Sequence, residues 1–225
     1  MPKQAALILP GPDWIQLTNI HRKLEKHKDM VLLTTTTIAG EMLDGVEKIV
    51  VVGHGGKAPD VMVGITPEAL VALISRTNFK KGKLRLDTCY SGYDTVVAAA
   101  PLVAQELKKK NLKEIIVSGT TGPSITGWDA KRGVVKDSAL HTAGVIQSTL
   151  EIVHNAKLTE AKTSAKKWRE NLSSTDIGKL AAEVGAKTKP FFDDFLAVLS
   201  HPDFADLLED KVTDKYKDYF DPSTL

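Results

Sequence analysis

The sequence predicts an α/β fold, a doubly wound and mostly parallel sheet flanked by helices, with a helical subdomain at the C-terminus. Runs rich in Val, Ile and Leu alternate with amphipathic stretches over the first two-thirds of the 225 residues. Three consecutive valines at 50–52 are typical of a parallel strand that is buried on both faces. After Asn155 the strand signals stop. We therefore predict an α/β domain at 1–154 and a helical subdomain at 155–225.

The first predicted strand is the apolar run Ala5–Leu9, which ends at a Pro-Gly-Pro sequence. Asp13 then resembles the N-cap of an amphipathic helix. Met30–Ile38, rich in Val, Leu and Thr, predicts the second strand, and Lys48–Val52 predicts the third. This order of strand, helix, strand and strand begins the α/β pattern.

Four further elements continue the pattern. Thr66, followed by Pro67, predicts the start of a helix with one apolar stripe. Lys83–Asp87 predicts the fourth strand, Thr95–Lys110 contains a helix, and Glu114–Ser118 predicts the fifth strand. The alternation favours helices that cross over between parallel neighbours.

The segment after the fifth strand changes character. Gly119–Gly133 contains several glycines and one proline, so it predicts a long loop. Ser138–Val153 predicts a further helix, and the following stretches rich in Ala, Lys, Leu and Glu predict the helices of the C-terminal subdomain.

Composition excludes several classes of function. The 30 Lys and Arg residues nearly balance the 28 Asp and Glu, and a formal charge of +2 does not indicate a surface for nucleic acid or an anionic membrane. A single cysteine excludes an internal disulfide framework. Neither a membrane span nor a secretory signal is predicted. The expected location is the cytoplasm, or outside the cell as an effector exported without a signal peptide; the sequence does not distinguish these.

Two short segments carry the predicted chemistry. VVVGHGG at 50–56 and LRLDTCYSG at 84–92 are strand-forming runs that end at His54 and Cys89, each followed closely by glycine. Carboxyl ends of parallel strands meet at one edge of a sheet, where such folds place their ligands. A free thiol needs an imidazole or another electropositive group nearby to become a nucleophile. We therefore predict a cysteine–histidine dyad.

The same residues support an oxyanion hole and also a structural alternative. The backbone amides of Gly55 and Cys89 are the predicted donors to the oxyanion of acyl transfer. Alternatively, Cys89 is a small packing residue and His54 a turn residue. Their joint placement favours the dyad, because their separation of 35 positions (89 minus 54) leaves room for one crossover helix. His141 is a weaker candidate for the base, since it lies on a predicted helix between small residues.

These strings resemble the caspase-like cysteine peptidases: metacaspases, legumain, clostripain and their relatives. GHGG at 53–56 and DTCYSG at 87–92 carry the resemblance, with a weaker similarity in VSGTTGPSITG at 117–127. VGITPEALVALI at 63–74 resembles a segment of the self-processing cysteine protease domains of bacterial toxins. The resemblance implies a caspase-like fold and an endopeptidase with Cys89 as nucleophile, His54 as its partner, and the amides of Gly55 and Cys89 as oxyanion hole.

The resemblance also implies a substrate-binding set. Asp87 is expected to select a basic residue before the scissile bond, or else to accept hydrogen bonds from loop amides, and Asp94 and Ser118 are weaker pocket candidates. Acidic residues of the metacaspase third segment are replaced here by Gly122, Pro123 and Ser124, so we expect no cofactor and no metal site. The expected partner is a protein or peptide substrate, with self-processing as one form of the activity, and the helical tail is a candidate for binding a protein partner.

Two alternatives to the peptidase remain open at this point. One is a catalytically silent interaction module that keeps the caspase-like fold. The other is a transferase or deamidase that acts through the same thioester.

Overall fold

A computed structural model describes residues 3–56, 62, 64–92, 98–120, 124–126, 132–207 and 216–219. The central sheet consists of β1 (Lys3–Ile8), β2 (Val31–Thr34), β3 (Val46–Val52), β4 (Lys81–Asp87), β5 (Glu114–Thr120) and β8 (Tyr216–Tyr219), and β6 (Ser124–Thr126) and β7 (Arg132–Val134) form a separate hairpin. Among the described residues, the order in the central sheet is β2-β1-β3-β4-β5-β8; the first five strands are mutually parallel, and β8 runs antiparallel to β5. The predicted parallel α/β architecture is therefore confirmed.

Helices cover the sheet and begin where the sequence provides caps. Asp13 caps the first helix through a full capping box with Gln16, and Thr66 caps the second, which has proline at its first position. Pro101 lies in the first turn of the third helix, where its missing N–H costs no hydrogen bond. The helices are α1 (Trp14–Lys26), α2 (Pro67–Ser75), α3 (Ala99–Lys109), α4 (Leu140–Val153), α5 (Asn155–Ala165) and α6 (Ser174–Leu199).

The two faces of the sheet bury two separate apolar clusters. On one face, alternate residues of β1, β3, β4 and β5 pack with α2 and α3. On the other, β1, β2 and β3 pack with α1, α5 and α6. Successive strand residues point to opposite faces, so the uninterrupted valines of β3 contribute to both clusters, as the sequence predicted.

The segment after Asn155 packs on the sheet. Leu158 of α5 and Ile177 and Phe191 of α6 lie in the same cluster as β1 and β3. The predicted helices are present, but the structure adds β8, a strand that the sequence analysis does not predict. A four-residue strand on the edge of the sheet needs little hydrophobic patterning of its own.

Two other elements differ from the sequence prediction. The second strand is shorter than Met30–Ile38, because Thr34 turns the chain through hydrogen bonds with Thr36 and Thr37. The predicted loop Gly119–Gly133 contains β6 and β7, each three residues long. Among the described residues, no helix is long and apolar enough to cross a membrane.

Candidate functional site

His54 and Cys89 lie at the carboxyl edge of the sheet, on neighbouring strands. Val52 and Asp87 are register partners at the ends of β3 and β4, and His54 and Cys89 each follow two residues later. Parallel neighbours lie about 4.8 Å apart, so this equal offset brings the two segments side by side. The chain also reverses its strand order between β1 and β3, which is where open α/β sheets form a ligand crevice.

Gly55 brings the backbones of the two segments into direct contact. A Cβ atom built on Gly55 would lie at an impossible distance from the carbonyl oxygen of Cys89, and 3.1 Å from its backbone nitrogen. Only glycine allows this approach without displacing one of the two loops. The two predicted oxyanion donors, the amides of Gly55 and Cys89, therefore belong to segments that touch.

A network of hydrogen bonds fixes the turn that carries Cys89. The hydroxyl of Ser91, which is 2% exposed, donates to the carbonyl of Thr88 (2.8 Å) and accepts from the backbone N–H of Thr120 (3.0 Å). The hydroxyl of Thr120 donates to the same Thr88 carbonyl at 2.7 Å. Tyr90, the next residue after Cys89, has a φ of 57°, which is uncommon outside glycine and marks a sharp turn.

Asp87 is the last residue of β4, two residues before Cys89, and its side chain is fully buried and ion-paired. Its carboxylate has no exposed side-chain surface, and it lies 2.5 Å from Lys23 Nζ and 3.1 Å from Arg85 Nε. Lys48 belongs to the same group of charges: burial first, and then the charges of Arg85 and Lys23, lower its pKa to about 8, while Asp87 opposes the shift. Positive charge therefore exceeds negative charge around Asp87.

The imidazole of His54 is held by the first turn of α1. Asp13 Oδ1 accepts from the backbone N–H of Ile15 as a helix cap, while its Oδ2 lies 3.3 Å from His54 Nε2. Gln16 Oε1 accepts from the backbone N–H of Asp13, so its Nε2 group donates to His54 Nδ1 at 3.1 Å. These contacts are consistent with a proton on Nε2 of the neutral ring.

Asp13 also raises the pKa of the imidazole. The hydrogen bond with Asp13 raises the pKa of His54 above its ordinary value, burial opposes this shift, and the charge of Asp13 adds to it. The ring is about half-exposed. Within the described part of the chain, its two nitrogens contact Gln16 and Asp13, and neither is hydrogen-bonded to the thiol of Cys89.

One cavity of about 280 Å³ opens beside both residues of the predicted dyad. Its wall is largely aromatic and aliphatic, from α1, α4 and α6, and His54, Asp87 and Cys89 also line it. The apolar part comprises Trp14, Ile15, Val135, Leu140, Ala143, Phe191, Phe192 and Phe195.

The other predicted site residues occupy different positions. Ser118 is 7% exposed in β5, in register with Arg85, and it is not among the residues that line the cavity. Asp94 lies outside the described residues. His141, the weaker candidate for the base, is exposed on α4 and does not line the cavity either. The roles of Asp87, Ser118 and Asp94 in substrate binding remain predictions.

Sequence reasoning missed Asp13 and Gln16 as partners of His54. Asp13 was recognised only as a helix cap, and both oxygens of one carboxylate are used here, one for the cap and one for the imidazole. The signal that would have found them is the position of the α1 N-terminus after β1, because β1 and β3 are neighbours and their following loops share an edge. No comparable sequence signal predicts that the phenylalanines of α6 line the cavity.

Among the described residues, no three His, Cys, Asp or Glu side chains cluster as metal ligands. In comparisons with known proteins, no family model matches the chain, and no curated sequence matches it either.

Proposed function

We propose that the chain is a cysteine peptidase with a caspase-like fold, in which Cys89 and His54 hydrolyse peptide bonds through a thioester. One observation carries the proposal. The chain's single cysteine and the histidine of the neighbouring strand follow a register pair at equal offsets and line the same cavity.

The chemistry follows from the properties of the two side chains. The Cys89 sulfur attacks the scissile carbonyl carbon, and the imidazole of His54 takes the thiol proton and delivers it to the leaving amine. The carbonyl oxygen becomes an oxyanion, for which the amides of Gly55 and Cys89 are the proposed donors. Water then attacks the thioester carbon, with His54 accepting its proton, which releases the acid and restores the thiol.

The imidazole must turn before it accepts the thiol proton. Its Nδ1 accepts from Gln16 and its Nε2 faces Asp13, so one of these contacts is exchanged for Cys89 during the reaction. Catalytic hydrogen bonds are often long or absent before substrate binds and shorten in the complex. The half-exposed position of His54 leaves room for such a rotation.

The experiment compares wild type, Cys89→Ala and His54→Ala on a mixed peptide library, with His141→Ala as the matched control. We expect loss of cleavage in Cys89→Ala and a fall of at least about a hundredfold in His54→Ala, the scale of general acid–base catalysis. His141→Ala should cleave like the wild type, because its side chain is exposed on α4 away from the cavity.

The outcomes separate the alternatives. Equal cleavage by wild type and Cys89→Ala would contradict the proposal. Modified peptides of unchanged length that form only with Cys89 present would indicate deamidation or acyl transfer through the same thioester. The proposed peptide-bond hydrolysis would then be replaced by one of those reactions.

A further inference from the structure

The cavity beside His54 and Cys89 has a largely apolar wall. Three phenylalanines of α6 and Trp14 of α1 form much of its wall, and Trp14 packs edge-on against Phe191 at 5.5 Å between ring centroids. Its volume of about 280 Å³ is just below the range of about 300–1,000 Å³ that is usual for small-ligand pockets. One large side chain is smaller than such ligands, so the cavity has room for it.

The charges around the cavity disfavour a basic side chain. Among the described residues of the lining, Asp87 alone carries a carboxylate, and Lys23 and Arg85 pair with it. A substrate arginine or lysine would have to displace one of these cations and lose its own hydration. The expectation that Asp87 selects a basic residue therefore has no electrostatic support in this arrangement.

We propose that this cavity binds an aromatic or large aliphatic side chain of the peptide, next to the scissile bond. The inference rests on the proposed peptidase function and names its substrate class. Burial of such a side chain against Trp14 and the phenylalanines removes apolar surface from water, and Cys89 lines the same cavity, so the adjacent peptide carbonyl would lie near the thiol.

Gly144 offers a position at which the cavity can be narrowed. It is an exposed residue of α4 that lies on the cavity lining, and a glycine there weakens the helix relative to alanine. A Cβ atom built there meets no atom within 4 Å, so a larger side chain fits without a clash at its first atom. A leucine at 144 can reach the cavity, and this substitution therefore tests whether the substrate side chain binds there.

The first test uses cleavage by the full chain. Paired peptides that differ only in one residue flanking the scissile bond, Phe, Leu, Ala or Arg, are compared in wild type and Gly144→Leu. We expect the wild type to cleave the Phe and Leu peptides at least tenfold better than the Arg peptide, and Gly144→Leu to reduce kcat/KM for Phe more than for Ala. Gly178→Ala, a change at an α6 glycine with ordinary contacts of 3.8 Å and longer, is the control for substitution in a helix.

The second test does not require catalysis. Binding of N-acetyl-phenylalaninamide and N-acetyl-argininamide to Cys89→Ala is measured by NMR, and the same titrations are made with the Cys89→Ala/Gly144→Leu double variant. Preference for the phenylalanine amide that is lost in the double variant supports the inference even if the chain cleaves no peptide. Equal binding of the two amides, or preferential cleavage after arginine, would overturn the inference while leaving the peptidase proposal intact.

Discussion

The two strand ends that carry Cys89 and His54 are held by different kinds of contact. In the turn after β4, Thr88 and Ser91 are buried and Cys89 is partly exposed. Asp87, Ser91 and Thr120 hold this turn through ion pairs and hydrogen bonds to the backbone. The imidazole after β3 is about half-exposed and is held by two side chains of α1. In the proposed peptidase, the nucleophile Cys89 would therefore be held in place and the base His54 would be free to change its hydrogen-bond partners.

The largest loss of stability is expected from a substitution of Asp87. Asp87→Asn removes the carboxylate from Lys23 and Arg85, and breaking a buried ion pair from one side costs about 3–5 kcal/mol. We expect about 3 kcal/mol less free energy of unfolding, measured by urea denaturation, because the two cations are partly exposed. Asp194→Asn, which breaks an exposed pair with His154, is the control and should cost under about 1 kcal/mol. Equal losses in both variants would contradict the view that the β4 end is the rigid one.

The second prediction concerns the backbone contact between Gly55, after β3, and Cys89, after β4. Gly55→Ala places a methyl group against the carbonyl of Cys89, so one of the loops must move. Overpacking of this kind costs about 1–3 kcal/mol, and we expect activity to fall with it. Gly178→Ala is the matched control and should keep or raise stability, since alanine favours the helix and its Cβ has ordinary contacts. Full activity in Gly55→Ala would show that the two backbones need not touch.

Ser91→Ala tests the hydrogen bonds of the β4 turn alone. It leaves the buried N–H of Thr120 without the Ser91 acceptor, a loss of about 1–3 kcal/mol. Thermal and urea denaturation measure it against Ser148→Ala, an exposed change on α4 that should alter stability by less than about 0.5 kcal/mol. A loss as small as that of the control would mean that the turn is held mainly by Asp87.

The smallest effect on stability is expected at His54, the proposed base. Asp13→Asn keeps a good helix cap but removes the charge beside His54, so the pKa of His54 should fall. Because the folded pKa is raised, the His54–Asp13 pair contributes stability below the unfolded pKa of about 6.5 and loses it as pH rises through the folded value. We expect a contribution under about 1 kcal/mol, since both groups are nearly half-exposed.

NMR titration of the His54 ring protons measures this shift directly. The resonances of His154, which pairs with Asp194, provide the internal control. An unchanged titration of His54 in Asp13→Asn would contradict the assignment of Asp13 as its partner.

The parallel core was predictable because its signals are local. The apolar runs of β1, β3, β4 and β5 and the caps at Asp13 and Thr66 each lie within a few residues, and together they place His54 and Cys89 at one edge. The details of the site depend on contacts between distant segments. Lys23 meets Asp87, and Gln16 meets His54, only because α1 packs over β1 and β3, an orientation that no local pattern contains.

The pH dependence of Cys89 alkylation tests the central claim most directly. The chain has one cysteine, so the rate of reaction with iodoacetamide reports on that thiol alone. The account predicts that His54→Ala lowers the rate at neutral pH, because the wild-type imidazole can turn from Gln16 and Asp13 to accept the thiol proton and alanine cannot. Identical profiles in the two proteins would contradict the dyad.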